Sequence, residues 1–218
     1  LNLSPNRLDR FANCGSHAVV MYHPKEDAYA VQANYCRDRF CLRCGQMRSA
    51  VIARNLGDRL DGINCRLCTL TLRHSATPLK DQISRLLSSF RALRHRLFWR
   101  TAVSGGVAFL ELKLGKDGLW HPHLHCMVVT DWLDQKALSF EWHAVTGDSS
   151  IVDVRPIHSV EEVTRYVSKY ASKPMDPSLF SSKERLAEAI SALHGRRLCT
   201  TFGNWRGLRL TGFSTAWL

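Results

Sequence analysis

The chain has 218 residues, enough for one sizeable core with an appendage. Its 45% hydrophobic content is ordinary for a globular protein; no apolar run is long enough to span a bilayer, and no signal peptide is present. Thirty Lys and Arg against nineteen Asp and Glu give a net charge of +11 and a pI near 9.6, which points to a polyanionic partner, nucleic acid before membrane. The chain shows no internal repeat or low-complexity tract, and its start at Leu1 without Met reads as a fragment or a processed product.

The first chemistry met along the chain is a set of cysteines. Cys14, Cys36, Cys41 and Cys44 cluster early, the last two in the knuckle Cys41-Leu42-Arg43-Cys44. Strand-forming runs at residues 17–22 and 28–32, joined by a turn at 23–27, read as a hairpin that carries Cys14 across from the knuckle. Four thiolates fit a closed structural Zn²⁺ site, with His17 as a competing ligand. Disulfides are the weaker reading, since nothing points to secretion. Cys65 and Cys68 form a second Cys-x-x-Cys, but on a strand that odd spacing puts them on opposite faces; with Cys126 and Cys199 they read as small buried residues. Arg37, Arg39, Arg43, Arg48 and Arg54 recur around the knuckle and a helix over residues 44–60 without matching acids, a pattern suited to phosphate contact.

A strand over residues 65–74 follows. Pro78 opens a helix to about residue 98, with Ile83, Leu86, Leu87, Phe90, Leu93 and Leu97 at helical spacing and Arg91, Arg94, Arg96 and Arg100 adding to the basic surface. Strands at 103–115 and 119–130 flank the turn Gly115-Lys116-Asp117-Gly118. A helix at 133–145, a strand at 151–156 and a helix begun by Ser159-Val160-Glu161-Glu162, with Ser as cap and Glu in the capping-box position, complete the pattern. Pro174 and Pro177 end that helix, residues 184–193 form another, and the loop Gly203-Asn204-Trp205-Arg206-Gly207 carries a tryptophan better suited to anchoring a core than to stacking on a base. His143 and His158 read as surface residues. From residue 65 the order is βαββαβ, an α+β, ferredoxin-like split βαβ with a central antiparallel sheet, preceded by a small zinc-binding segment. The expected division is 1–60 for that segment, 61–176 for the main domain and 177–218 for a C-terminal extension of helix and loop.

Two stretches of the main domain carry chemistry. In Trp120-His121-Pro122-His123-Leu124-His125-Cys126, His123 and His125 share one strand face and make half of a divalent-metal site. Glu111 lies in the otherwise apolar stretch before the turn, and strand pairing brings it beside the histidines; a salt bridge across the sheet is its bland alternative. Two His and one Glu leave open positions that suit Mg²⁺ or Mn²⁺ acting on a phosphate. His121 is either a third imidazole ligand or a hydrogen-bonding partner behind the ligands. On the last helix of the pattern, Tyr166 and Tyr170 stand one turn apart with Lys169 and Lys173 on the same side, a phosphate-facing surface rather than an apolar stripe.

These elements resemble the HUH endonucleases, and among them most nearly the rolling-circle replication initiators of plasmids and single-stranded DNA phages. His123-Leu124-His125 fits the family's His-hydrophobic-His element, residues 166–173 fit its tyrosine helix, and Cys68-Thr69-Leu70-Thr71-Leu72 is similar to its first motif; the three appear in family order over residues 65–176. The resemblance implies a palm fold, a catalytic ion held by His123 and His125 with Glu111 as third ligand, and attack of Tyr170 on a phosphate of single-stranded DNA to give a 5′-phosphotyrosine. Many plasmid members carry Glu where this chain has Tyr166; the paired tyrosines are like those of phage initiators and Helitron-type transposases. The implied partners are single-stranded DNA at a replication origin, with or without a hairpin, and a host or fused helicase; no membrane is expected, and the implied location is the bacterial cytoplasm. A Helitron-like transposase or conjugative relaxase domain is the alternative within this chemistry. A zinc-stabilised DNA-binding module without catalysis is the alternative outside it.

Overall fold

Strands whose two sets of alternate residues are both largely apolar need cover on both faces. The structure, a computed structural model, describes residues 4–25, 27–60, 62–172 and 182–210, with the backbone alone at 168, 169, 171 and 172. Its elements in order are α1 (Pro5–Ala12), β1 (Val19–His23), β2 (Ala28–Gln32), α2 (Leu42–Leu60), β3 (Cys65–Thr71), α3 (Leu79–His95), α4 (Leu97–Ala102), β4 (Gly105–Leu114), β5 (Trp120–Val129), α5 (Gln135–Thr146), β6 (Val152–Ile157), α6 (Val160–Ser172), α7 (Lys183–Leu193) and β7 (Cys199–Gly203). β1 and β2 form a separate two-stranded sheet, and the main sheet runs β6-β3-β5-β4-β7 with every neighbour antiparallel. Its first four members, numbered within the βαββαβ unit, read 4-1-3-2, the expected split βαβ order.

One face of the sheet presents Cys68, Leu70, Ala108, Leu110, Leu112, Leu124, Cys126 and Val128 to α3, α4, α5 and α7, where Ile83, Leu86, Trp99, Trp142 and Leu193 close the core. The other presents Cys65, Leu67, Val107, Phe109 and Met127 to Ile52, Ala53, Leu56 and Leu60 of α2 and to Val163, Val167 and Tyr170 of α6. Cys65 and Cys68 thus fall on opposite faces, as their spacing predicts, and Cys199 is half-buried rather than fully so. Trp205 is buried in the second core, the anchoring role that its sequence context favours. The buried Ser49 hydroxyl donates to the Val167 carbonyl at 3.4 Å, and a Cβ at Gly57 would stand 2.9 Å from Val160, so α2 and α6 lie close together.

Three local features depart from the sequence reading. The helix expected to run to about residue 98 breaks at Arg96, whose backbone is extended (φ −67°, ψ 144°). Leu97 is therefore 75% exposed instead of joining the apolar stripe, and the bend returns Trp99 to the core, edge-on to Phe90 at 5.7 Å. Burying the larger indole outweighs burying Leu97. The edge strand β7 leaves little pattern in the sequence, because only Phe202 of its five residues is buried. That ring packs edge-on to Phe90 at 5.3 Å, and the strand ends at Gly203 (φ +62°), where a Cβ would stand 2.6 Å from the Cα of Gly105. Helix α1 is a further element beyond the sequence reading, and Ser4-Pro5 is its start signal: Pro5 sits at the N-terminus and the Ser4 hydroxyl accepts from the Arg7 N–H.

The cysteine-bearing segment is braced by side chains, one of which ties it to the C-terminal extension. Arg39 donates to the carbonyls of Leu193 and Arg196 at 2.8 and 3.0 Å, while Arg7 pairs with Asp38 at 2.6 Å and Arg10 donates to the Cys36 carbonyl at 3.1 Å. No helix among the described residues is long and apolar enough to cross a membrane.

Helix α2 buries its apolar side in the second core, most closely against α6. Leu56 is fully enclosed (0% exposed), so Leu56→Ala is expected to cost about 2–5 kcal/mol. Urea denaturation should show a lower midpoint with an unchanged m-value; a midpoint within error of wild type would mean that α2 contributes little to the core.

Candidate active site and metal centres

The face that α2 and α6 cover is apolar along part of its length and polar beyond. Register places Thr69, His125 and Phe109 in one row across β3, β5 and β4, and Thr71, His123 and Glu111 in the next. Each imidazole therefore has a threonine opposite. Thr69 Oγ1 lies 3.0 Å from His125 Nδ1, and Thr71 Oγ1 lies 3.0 Å from His123 Nδ1. With Nδ1 engaged, each Nε2 is turned to other partners. His125 Nε2 is 2.7 Å from Glu111 Oε2, and Lys113 Nζ is 3.3 Å from the same oxygen. An ionised carboxylate only accepts, so His125 donates from Nε2, while the Thr69 hydroxyl, able to donate or accept, suits Nδ1 in either state of the ring. A cation held by His125 and Glu111 would take the place of that shared proton, and the hydroxyl, which can accept as well as donate, would suit the other tautomer.

Burial would by itself raise the Glu111 pKa, but the hydrogen bond and charge of His125, together with Lys113, hold it below the usual carboxylate range. His123 is lowered from 6.5 to about 4, first by burial and then by the neighbouring charges of His125 and Lys113. An ionised carboxylate and a neutral imidazole are the forms that bind metal, although Glu111, His123 and His125 are not among the described groups whose donor atoms all lie within 4.8 Å of one another. The three groups are less tightly gathered than the cysteines described below: the rings of His123 and His125 are 6.1 Å apart.

Helix α6 starts as its sequence predicts. The Glu162 N–H donates to the Ser159 hydroxyl at 3.2 Å, and the Glu162 carboxylate accepts from the His158 N–H at 2.9 Å. The helix then lays Tyr170 flat on His125, ring centres 3.7 Å apart and planes within 15°. Tyr166, one turn earlier, is parallel to Tyr170 at 6.4 Å and half-buried, whereas Tyr170 is 7% exposed. The side chain of Lys169 and the whole of Lys173 lie outside the described residues.

The four early cysteines converge. Cys14 Sγ is 3.5 Å from Cys41 Sγ and 3.6 Å from Cys44 Sγ, and Cys36 Sγ is 3.7 Å from Cys44 Sγ. A tetrahedral zinc with bonds of about 2.3 Å spaces its sulfurs by about 3.8 Å, so the cluster has the dimensions of a Cys₄ zinc site. His17 is not among the clustered groups. The Cys36 backbone N–H is the main influence that draws the Cys14 thiol down to about 7, while burial pushes Cys36 up to about 12. Four thiolates this close need a cation to coexist.

Several arginines assigned to phosphate contact have other partners. Arg39 holds the two C-terminal carbonyls named above, Arg43 donates to the Cys14 carbonyl at 3.1 Å, and Arg48 donates to the Arg37 carbonyl at 3.2 Å. Arg94 lies over Phe90 at 4.9 Å, and Arg96 pairs with Glu141 at 2.6 Å. Arg91 and Arg100 are exposed, as are His143 and His158. Sequence reasoning gave no role to Thr69, Thr71 or Lys113. The available signal was the Thr-x-Thr alternation, which matches His-x-His once the strands pair.

Two measurements check these assignments. Cys44→Ser is expected to lose both zinc and thermal stability, because metal binding contributes to folding; full zinc content by elemental analysis would overturn the Cys₄ reading. In metal-free protein the unfolded chain binds protons at His123 more readily than the folded chain. Stability from this residue is therefore complete above pH 6.5 and lost as pH falls toward about 4. The urea midpoint should fall across that window, and less steeply in His123→Gln; identical slopes would show that His123 does not resist protonation.

Comparison with known proteins places the chain. A family model described as Replication protein matches residues 28–209. A protein named Protein rep from Bacillus amyloliquefaciens is 27% identical over 169 residues, covering 72% of this chain and 50% of the relative. Another Protein rep, from Bacillus sp, is 28% identical over 169 residues, covering 72% of this chain and 55% of the relative. The chain spans about half the length of the curated relatives it matches. No solved structure gives a significant match. The family match bears out the resemblance to replication initiators and extends over the cysteine cluster's knuckle, the histidine strand and the tyrosine helix: the protein belongs to the Replication protein family.

Proposed function

We propose that this chain nicks and rejoins single-stranded DNA at a replication origin through a tyrosine, and so initiates rolling-circle replication. The observation that carries this reading is the Tyr170 ring lying on His125, 3.7 Å between centres, beside the Glu111 carboxylate. A phenol, two imidazoles and a carboxylate then lie together at the polar end of the sheet.

Glu111, His123 and His125 are the residues that would hold Mg²⁺ or Mn²⁺. Such an ion supplies Lewis-acid polarisation of the scissile phosphate. The remaining chemistry belongs to side chains. The Tyr170 hydroxyl loses its proton and its oxygen bonds to phosphorus in line with the departing 3′ oxygen. That P–O bond breaks, the 3′ oxygen takes a proton, and the 5′ phosphate stays on the tyrosine. The bond count across the step is unchanged, so the reverse reaction rejoins the strand. Lys113, Lys169 and Lys173 supply positive charge for the developing oxyanions. Tyr166 provides a second hydroxyl one turn away for the next cut. The Cys₄ cluster supports the fold with Zn²⁺, in the three-part division at residues 60 and 176 set out above. The partners on this reading are origin DNA and a helicase, and the setting is the bacterial cytoplasm.

Incubation of the protein with a labelled single-stranded origin oligonucleotide and Mn²⁺ tests the proposal. Wild type is expected to form a covalent adduct. Tyr170→Phe should remove most cleavage, Tyr166→Phe should keep the first cut but impair the second cut or rejoining, and the double variant should form no adduct. Each variant keeps an aromatic ring, so losses report the hydroxyl. An adduct in the double variant would overturn the nucleophile assignment. No adduct with folded wild type would favour a non-catalytic DNA-binding module.

A further inference from the structure

The third imidazole of the histidine strand has partners of its own. His121 stands across from Lys113 in the β4–β5 register, one row beyond Glu111 and His123. Its ring centre is 3.8 Å from that of His74, which follows β3. His74 Nδ1 is 3.2 Å from Asp117 Oδ2 in the β4–β5 turn. One donor atom from each of these three residues lies within 4.8 Å of the others. The turn is held in shape by its backbone: the Gly118 N–H donates to the Gly115 carbonyl at 2.9 Å, and the Leu119 N–H donates to Asp117 Oδ1 at 3.0 Å. A Cβ at Gly115 would stand 3.0 Å from His121 Nε2 and 2.5 Å from Asp117 Oδ1, so the turn closes directly against the donor atoms.

We propose that His74, Asp117 and His121 bind one divalent transition-metal ion of the zinc, cobalt and nickel class, separate from the Cys₄ cluster and from Glu111, His123 and His125. Two imidazoles and one carboxylate form a borderline donor set that prefers such ions to Mg²⁺. Bonds of about 2.0–2.2 Å at tetrahedral angles space donors by about 3.4 Å, and His74 Nδ1 and Asp117 Oδ2, 3.2 Å apart, are already at that spacing. The third donor, on His121, lies within 4.8 Å of the other two, and the two imidazole rings, now 3.8 Å apart, would turn away from each other to aim their nitrogens at a common ion. The three donors come from three chain segments, so the ion would clamp the β4–β5 turn to the chain leaving β3. It would lie on the same strip of the sheet as the candidate phosphate site, since the rings of His121 and His123 are 6.3 Å apart. Its open positions would face water or an incoming phosphate oxygen.

The inference does not depend on the nuclease reading, and its test is binding rather than cleavage. Zinc-loaded protein is titrated with Co²⁺ by calorimetry and visible absorption, where a thiolate charge-transfer band would mark any ion entering the cysteine cluster. In a His123→Ala/His125→Ala background, one Co²⁺ without that band is expected. Adding His74→Ala or Asp117→Ala should weaken it at least about tenfold. In the otherwise wild-type chain, His74→Ala should lower the Co²⁺ stoichiometry by one. Co²⁺ binding that is unchanged by His74→Ala in both backgrounds would overturn the site, as would a folded double-variant background that binds no Co²⁺.

Discussion

Strand β5 lies between β3 and β4 in a register that makes Thr71, His123 and Glu111 neighbours in one row and Thr69, His125 and Phe109 neighbours in the next. The candidate site depends on this pairing. Side chains alternate with a period of two, so a slip of one residue would carry every histidine of β5 to the opposite face, among α3, α5 and α7. The register is enforced from that opposite face. Leu70, Leu110, Leu112, Leu124 and Cys126 are sealed in the larger core, and exchanging them for imidazoles and a carboxylate would bury charge without partners.

The two faces are covered unequally. Helices α3, α4, α5 and α7 close one face around Trp99 and Trp142. Among the described residues the other face is covered by α2 and α6, joined by Trp205 and Leu210, and this apolar cover reaches Phe109 and Met127. Beyond that line the strands carry Thr71, Glu111, Lys113, His121 and His123. The site therefore sits at the margin of a core. His125 and Glu111 are buried deeply enough for their mutual hydrogen bond to matter, while His121 and His123 retain access to solvent. This gradient also sets their chemistry, since burial and neighbouring charge keep His123 neutral well below the ordinary imidazole range.

The N-terminal segment supports the same margin from outside. Its cysteine cluster includes Cys44 in the first turn of α2, and Arg39 bridges from that region to the end of α7. A metal bound by the four thiols would anchor the start of α2, and α2 in turn packs on the tyrosine helix. Much of the positive charge in this region is engaged with backbone carbonyls. The net charge of +11 consequently says more about the field around the molecule than about which arginines touch a phosphate.

The sequence alone determined the βαββαβ order, the opposite faces of Cys65 and Cys68, and the capped start of α6, because alternation, odd spacing and capping are local rules written in consecutive residues. It also identified the four cysteines that converge, since Cys-x-x-Cys and a hairpin bring thiols together over short distances. Tertiary structure alone decided which threonine faces which histidine and that Glu111 reaches His125 at 2.7 Å. It also grouped His121 with His74 and Asp117. These are consequences of pairing between distant segments, which no local pattern encodes. The same holds for the break at Arg96 and the edge strand β7: both are fixed by burial of Trp99 and Phe202 against Phe90, whose ring lies on another element. Local propensity proposes where a helix ends or a strand begins, and the larger apolar area buried across the core settles it.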